Sequence, residues 1–336
     1  IDVAIHPKEK VYVPEMIFGH LLTSTNYDKD EKKITGGKNG YGAKLTNIFS
    51  KHFTVESVDR KAKLLYKQTW KDNMTIKEEP IITKYKEEPY TKITFLPDYN
   101  RFGVNGLTDD LYNIYCKRVY DCALWFSGNM NLTLNPKLKK QETNVNVVLN
   151  NNNILCSLTN YVNYYTNGDI DEKDIIIERF DRWEVGVVLS PNHKYLQVSL
   201  VNGITTTRGG KHVDNIINQL VKKLNEVSQK KKNKVDVKAS YLKENIWIFI
   251  KCIIEEPTFD GQTKENMTTN VSNFGSKCDI SDKFIDKLVK LGILERIYNS
   301  IELENTKLFK KSDGSKKGSI RGIKKLDDAN FAGTKQ

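Results

Sequence analysis

The chain has 336 residues, and its 53 Lys and Arg residues against 42 Asp and Glu residues give a formal net charge of +11. This length is sufficient for two domains, each with a core of its own, and the positive charge favours a polyanionic partner or substrate. The five cysteines show no C-x-x-C spacing, which argues against a disulfide framework and a zinc site and favours reduced thiols in an intracellular compartment. No apolar run approaches the roughly 18 residues of a membrane-spanning helix, so we expect no membrane association.

The first half of the chain predicts one antiparallel sheet with helices on one face. Residues 1–14 have an extended pattern that Pro14 ends, and residues 15–22 predict a short apolar helix. The hydroxyls of the turn at 23–26 are expected to cap neighbouring backbone groups, and the charged residues 28–33 predict a mobile lid. Strands are expected at 53–58, 64–70 and 91–96, and a helix at 107–125 with Leu111, Ile114, Tyr115 and Val119 on one side, continued by Cys122 and Leu124.

A polar tract separates the two halves. Residues 144–153 contain six asparagines in ten positions. Because such a tract cannot bury enough apolar surface to fold, residues from about 137 to 155 are expected to be an exposed, disordered insertion.

A second unit is expected to begin near Trp183. Strands at 183–189 and 196–201 flank the turn Ser190-Pro191-Asn192 and predict a hairpin. A strand is also expected at 246–253. His212 has no cysteine nearby in the sequence and no acid identified as its partner, and it is assigned a structural role. A helix is expected at 213–227, where Ile216, Ile217, Leu220, Val221 and Leu224 recur at helical spacing.

The segment 35–44, TGGKNGYGAK, has four glycines within seven residues ahead of a helix expected at 43–49. Glycine permits positive φ and lets main-chain N–H groups approach a ligand, and a helix N-terminus adds unpaired N–H groups and partial positive charge. Lys38 and Lys44 add charge on either flank. The spacing fits neither the Walker P-loop nor the G-x-G-x-x-G dinucleotide motif, so the residues alone favour a phosphate site over a plain flexible loop without excluding the loop.

Three collinear blocks carry a resemblance to a known family: residues 16–28 (MIFGHLLTSTNYD) with 31–44 (EKKITGGKNGYGAK), residues 245–250 (NIWIFI) with 256–268 (EPTFDGQTKENMT), and residues 325–330 (KLDDAN). The chain resembles the N-terminal ATPase and transducer region of eukaryotic-type DNA topoisomerase II, a type IIA enzyme of the GHKL ATPase superfamily. The resemblance implies an α+β protein. Its expected domains are a GHKL-type α/β sandwich over residues 1–170 and a transducer domain over residues 171–336, whose fold is like the second domain of ribosomal protein S5.

The resemblance also implies an ATP site. Ser24, Thr25 and Asn26 would contact the sugar and phosphates, and Thr25 keeps a hydroxyl where the family usually has a second serine. Lys264 would reach the γ-phosphate from the transducer with support from Gln262, and these two are the expected catalytic residues. Since phosphoryl transfer depends mainly on positioning and charge neutralisation, a lysine from another domain can sense whether ATP or ADP is bound. The other expected nucleotide contacts are Gly37, Lys38, Asn39, Gly40, Tyr41, Gly42, Ala43, Lys44 and Thr263.

Lysines crowd the region from 222 to 238. A solvated lysine near a helix C-terminus is electrostatically favourable, but this cluster contains more lysines than the capping of one helix requires. In the family, lysines matching Lys230, Lys231 and Lys232 line a passage for duplex DNA. Without a base-reading motif, we expect them to contact phosphates independently of sequence.

The implied function is that of an ATP-binding and ATP-hydrolysing gate of a nuclear topoisomerase, with ATP and Mg²⁺ as cofactors and double-stranded DNA as partner. ATP binding would join two copies into a homodimer that captures a duplex, and hydrolysis would reopen it. The family's general-base Glu, its Mg²⁺-holding Asn and its adenine-contacting Asp are expected upstream of residue 1, so we expect weak or absent hydrolysis by this chain and assign no metal ligand. The DNA-cleaving residues belong to later regions of the family, so this chain is not expected to cut DNA. The alternatives are another GHKL ATPase, of mismatch-repair or chaperone type, or a non-enzymatic basic DNA clamp in which the glycine loop is only a hinge.

Overall fold

The computed structural model describes residues 1–23, 33–37, 39–127, 147–149, 152–153, 157–230 and 234–312. They form two compact units: the described residues up to 122 with 147–149 and 152–153, and residues 123–127 with those from 157 onward. The expected lid (apart from Lys33), residues 137–146, 150–151 and 154–155 of the expected insertion, and the block 325–330 lie outside the described residues. The antiparallel pairing of 148–149 with 152–153 corrects the expectation of disorder at those positions. The predicted domain boundary after residue 170 stays a prediction.

The first unit is built on an antiparallel sheet with the strand order β3-β2-β1-β5, and β4 also pairs with β2. In the central strand, Phe53 lies opposite Trp70 of β2 and Phe95 of β5, and it packs in a small core with Phe18 of α1 and Trp70. The three predicted strands are confirmed, whereas β3 and β4 were too short to show alternation in the sequence. The elements are α1 (Val13–Gly19), α2 (Tyr41–Ile48), β1 (Ser50–Asp59), β2 (Leu64–Lys71), β3 (Ile76–Lys77), β4 (Ile81–Lys84), β5 (Thr91–Pro97), α3 (Asp109–Phe126) and the short pair β6 (Val148–Leu149) and β7 (Asn152–Asn153).

Two helix predictions in this region need correction. Pro14 stands in the first turn of α1, where a missing N–H costs nothing, and the helix stops at Gly19 instead of continuing to Leu22. The helix predicted at 107–125 is confirmed as α3, but its apolar side is not fully buried: Ile114 and Tyr115 are 50% and 43% exposed, and burial is concentrated in the last two turns. A periodic pattern shows which residues share a side, but it does not show whether that side is covered.

The second unit contains a five-stranded sheet with the order β11-β10-β13-β9-β8. Its core lies between the sheet and helices α5 to α8, and on the other face Tyr161 of α4 packs edge-on against Phe249 of β13. None of the described helices combines the length and apolar character that a membrane crossing requires. The elements are α4 (Leu158–Thr166), β8 (Ile176–Arg179), β9 (Trp183–Leu189), β10 (Leu196–Val201), β11 (Ile204–Thr205), β12 (Gly209–Gly210), α5 (Lys211–Ser228), α6 (Ala239–Asn245), β13 (Ile246–Cys252), β14 (Asn266–Met267), α7 (Asp282–Lys290) and α8 (Ile293–Ser312).

The predicted hairpin of β9 and β10 is wrong. The later strand β13 lies between them, antiparallel to β9 and parallel to β10. Helices α5 and α6 form the crossover connection between the parallel strands β10 and β13. The loop of residues 190–195 joins β9 to β10 across the position that β13 occupies between them. The helix predicted at 213–227 is confirmed, with Ile216, Ile217, Leu220 and Leu224 buried.

Candidate functional site

The glycine loop leads directly into α2. Gly40 is the residue before the helix, in the left-handed conformation with φ 65°, and no side chain caps the first turn. That turn contains no acidic residue. The main-chain N–H groups at this end of α2 are therefore suited to an anionic ligand.

The glycines at positions 37 and 42 are not required by contacts within the described protein. A Cβ built at Gly37 or at Gly42 would meet no heavy atom within 4 Å. Neither residue has a positive φ. A close approach of the backbone to a ligand would explain why both positions are occupied by glycine.

Lys44 is the buried cation of this region. Its residue is 3% exposed, and its Nζ donates to Thr23 Oγ1 at 2.8 Å. Thr23 in turn donates to the carbonyl oxygens of Met16 and His20 at 3.1 and 3.0 Å, which confirms the predicted capping role of this hydroxyl. Burial lowers the pKa of Lys44 below its ordinary value. Among the described residues no carboxylate forms an ion pair with Lys44.

Sequence reasoning did not identify Thr23 as the partner of Lys44. The signal was the position of Thr23, directly before the expected nucleotide contacts. Gly37, Asn39, Gly40, Tyr41, Gly42, Ala43 and Lys44 are brought together at the start of α2. Ser24, Thr25, Asn26 and Lys38 lie outside the described residues.

Gln262, Thr263 and Lys264 occupy the tip of a β-hairpin over residues 258–268. Thr268 N donates to Thr258 O at 2.9 Å, Asp260 N donates to Asn266 O at 3.2 Å, and Phe259 bridges Met267 in antiparallel fashion. The tip is closed by Lys264 N, which donates to Gly261 O at 3.1 Å, and Lys264 has a left-handed backbone with φ 58°. Gln262 and Thr263 are exposed, whereas Lys264 is partly buried, which lowers the pKa of its amine.

At the basic end of α5, Lys230 is exposed just after the helix, and Lys231 and Lys232 lie outside the described residues. Lys223 forms an ion pair of 2.5 Å with Asp282 of α7. The pKa of Asp282 is lowered by the hydrogen bond and charge of Lys223 and further by the charge of Lys230. This carboxylate therefore offsets part of the positive charge, and Lys230 remains available to a polyanion.

His212 is fully buried at the start of α5, and its Nε2 lies 3.2 Å from Thr206 Oγ1. Burial lowers its pKa to about 3, so the imidazole is neutral at physiological pH. The geometry fits the structural role expected of it.

The comparisons with known proteins agree with the resemblance. A family model described as DNA gyrase B matches residues 157–313. Over its full length the chain is 44% identical to the DNA topoisomerase 2 of Candida glabrata and to that of Saccharomyces cerevisiae, and it spans 24% of the length of each.

Solved structures extend this similarity to the fold. The chain is 44% identical to the ATPase region of Saccharomyces cerevisiae topoisomerase II, with a TM-score of 0.76, over 89% of this chain and 74% of that one. It is 39% identical to the ATPase and transducer domains of DNA topoisomerase II from Balamuthia mandrillaris, with a TM-score of 0.79, over 91% of this chain and 75% of that one. The predicted α+β fold, an ATPase domain followed by a transducer domain, is confirmed. The chain belongs to the family of ATPase and transducer regions of eukaryotic-type DNA topoisomerase II.

Proposed function

We propose that this chain is the ATP-binding gate of a type IIA DNA topoisomerase of the nucleus. ATP binding joins two copies into a dimer that captures a DNA duplex, and hydrolysis reopens the gate. The observation that carries the proposal is Lys44, a buried cation at the helix that follows the glycine loop, whose charge no described carboxylate balances.

The residues around α2 fit a nucleotide phosphate. When bound, ATP supplies a triphosphate whose negative charge the site must balance. The uncapped N–H groups of the first turn of α2 donate to phosphate oxygens, and the Lys44 ammonium adds a charge-assisted hydrogen bond in a position from which water is excluded. Residues 37–44 bind the phosphates in this proposal, and Ser24, Thr25 and Asn26 bind the sugar and phosphates.

Gln262, Thr263 and Lys264 contact the terminal phosphate in this proposal. Their place at a closed hairpin tip supports it, because a backbone that is already ordered needs no further ordering when the ligand binds. A partly desolvated ammonium also attracts an anion more strongly than a fully hydrated one. Lys264 distinguishes ATP from ADP because only ATP carries the γ-phosphate.

Mg²⁺ is proposed as the ion that accompanies the nucleotide. The described residues contain no group of three or more His, Cys, Asp or Glu side chains that could hold a metal. Mg²⁺ commonly binds through substrate phosphates and keeps several waters. It therefore enters with the ATP phosphates, and no ligand in this chain is assigned to it.

Lys230, Lys231 and Lys232 contact the phosphates of the captured duplex in this proposal. The exposed position of Lys230 and the positive charge of the chain support it. Replacing all three by Ala flattens the dependence of DNA affinity on salt, by a slope of about 0.9 for each phosphate contact removed. An unchanged slope would exclude these lysines from the DNA contact.

The test of the whole proposal is the molecular mass in solution, measured by light scattering. The chain, and a version lengthened by the upstream segment of the Saccharomyces cerevisiae relative, are measured with Mg²⁺ and a non-hydrolysable ATP analogue, each with and without Lys44→Met. Dimerisation of the lengthened form on adding the analogue, abolished by Lys44→Met, is the expected result. DNA binding without any response to nucleotide in either form would replace the gate by the non-enzymatic clamp.

A further inference from the structure

The hairpin that carries Lys264 is held on its second side by another strand. The two residues of β12, Gly209 and Gly210, pair in parallel with Asn266 and Met267 of β14. One residue earlier, Arg208 N donates to Glu265 O at 2.9 Å. The arm that leads out of the tip is therefore hydrogen-bonded both to the hairpin's first arm and to β12.

Gly210 is placed where no other residue fits. Its φ of 134° is a conformation that side chains with a Cβ rarely adopt, and a Cβ there would lie 2.3 Å from Met267 O and 2.5 Å from Met267 N. Both atoms belong to the backbone of β14, so they cannot move aside without separating the strands. The close contact between β12 and β14 thus depends on glycine at this position.

The chain on either side of β12 is itself anchored in the second unit. Gln197 Nε2 donates to the carbonyl oxygens of Thr206 and Thr207 at 3.1 and 2.8 Å. Thr206 Oγ1 donates to Ser199 O at 3.1 Å from a buried position. On the other side, α5 begins at Lys211 and buries Val213 in the core. β12 therefore connects the hairpin to β10 and α5.

We propose that Gly210 is a positioning residue for Lys264: by allowing β12 to dock on β14, it fixes the hairpin tip relative to the core of the second unit. This rests on the proposed role of Lys264 at the terminal phosphate. Without β12 the hairpin would keep its own pairing and the packing of Phe259 and Met267 at the core, but the arm that leads out of the tip would lose its second strand. A hairpin of two strands alone is marginally stable in water. A lysine that senses one phosphate needs its backbone held to within a fraction of an ångström, because small misplacements cost large factors in rate and affinity.

Gly210→Ala tests this, with Gly292→Ala as the matched control. Gly292 also has a positive φ, 92°, but a Cβ there would meet nothing within 4 Å. The first readout is hydrogen exchange of the Asp260, Lys264 and Thr268 amides, with the core amides of Ile248 and Ile250 as a check on the global fold. We expect the hairpin amides to exchange about tenfold faster or more in Gly210→Ala, and unchanged in Gly292→Ala, because only the first opens the region locally.

The second readout is the ratio of affinities for a non-hydrolysable ATP analogue and for ADP, measured in the lengthened form. Gly210→Ala should lower this affinity ratio to the value found for Lys264→Ala and leave the ADP affinity unchanged. The double variant should have the same affinity ratio as Lys264→Ala alone. A purely structural role would lower both affinities together.

Each failure has a distinct signature. Hairpin amides that stay protected in Gly210→Ala overturn the inference while leaving the function of Lys264 intact. If Lys264→Ala has the same ratio of ATP-analogue affinity to ADP affinity as the wild type, the proposed role of Lys264 is overturned, whatever the hydrogen-exchange data show. If Gly210→Ala does not fold, Thr206→Val takes its place, because it keeps the side-chain shape and removes the hydroxyl that anchors the chain before β12 to Ser199 and His212. The same two readouts then decide.

Discussion

Lys44 in the first unit and Lys251 in the second are both buried, but the protein treats their charges differently. Lys251, on β13, is 0% exposed, and its Nζ donates to the carbonyl oxygens of Leu124, at 3.0 Å, and Ser127. It also lies 3.5 Å from Glu184 Oε2. Lys44 is almost as deeply buried, yet the contact that the described residues give its ammonium is the hydroxyl of Thr23.

The difference separates a structural cation from a binding one. Taking an ammonium out of water is costly unless a counter-charge and hydrogen-bond acceptors replace the water. At Lys251 the protein supplies both, so the charge helps to hold the end of α3 against β13. At Lys44 the described protein supplies a single acceptor, so a ligand anion can complete the balance.

The largest expected effect is that of Lys251→Met on stability. It leaves Glu184 with Arg179 alone and removes the donor from two carbonyl oxygens, so we expect a loss of about 3–5 kcal/mol in the free energy of unfolding. Urea denaturation followed by tryptophan fluorescence measures it. The control is Lys222→Met at an exposed position of α5. Equal losses in both variants would show that the contacts of Lys251 do not stabilise the unit.

Lys44→Met should act in the opposite direction on stability. It removes a buried charge that the described protein does not pair, so we expect the nucleotide-free protein to be as stable as the wild type or more stable. Affinity for the ATP analogue should fall by about 10- to 100-fold, since a hydrogen bond to a charged group is worth roughly 1.5–3 kcal/mol. Calorimetric titration and thermal denaturation measure the two quantities.

The control for Lys44→Met is Lys61→Met, at an exposed turn position, which should change neither quantity. A loss of stability in Lys44→Met comparable to that in Lys251→Met would assign Lys44 a structural role.

The stability difference between Lys44→Met and the wild type should depend on pH. Burial holds the folded-state pKa of Lys44 below its ordinary value of 10.5. Between these two values the unfolded chain binds more protons than the folded chain, so the wild type gains stability as pH rises through this window. Lys44→Met lacks this group, so its stability advantage over the wild type should narrow from pH 7 towards pH 10.5. Melting temperatures of both proteins across this range test it; a constant or widening difference contradicts the buried, charged lysine.

Local patterns predicted the elements that depend on local sequence. Helix α5 followed from apolar residues at helical spacing, and β1, β2 and β5 followed from alternation. The false hairpin of β9 and β10 has a non-local cause, because β13 arrives about fifty residues after β10 to occupy the place between them. No pattern near residue 190 contains that information.

The candidate site also has features that the sequence predicts and features that it does not. The glycine loop and its helix were predictable from residue types, and the Gln262-Thr263-Lys264 segment from family resemblance. The burial of Lys44, its bond to Thr23 and the docking of Gly210 on Met267 were not, since each depends on residues 21 or more positions apart meeting in space.

The smallest expected effect is that of Gly42→Ala, which separates the contact with the ligand from the stability of the protein. Gly42 lies in the first turn of α2 with open space around a built Cβ, so alanine should raise the free energy of unfolding by about 0.5–1 kcal/mol through its better helix propensity. The added methyl group would stand between the backbone and the phosphates, and analogue affinity should fall about fivefold, roughly 1 kcal/mol.

The control is Gly106→Ala, another glycine whose Cβ would meet nothing within 4 Å but which lies outside the glycine loop. The affinity of this variant for the analogue should equal that of the wild type. A Gly42→Ala protein that is more stable and binds the analogue as tightly as the wild type would make this glycine part of a flexible turn rather than of the phosphate contact. Lys44 and the main-chain N–H groups of α2 would then have to account for binding without a close approach at position 42.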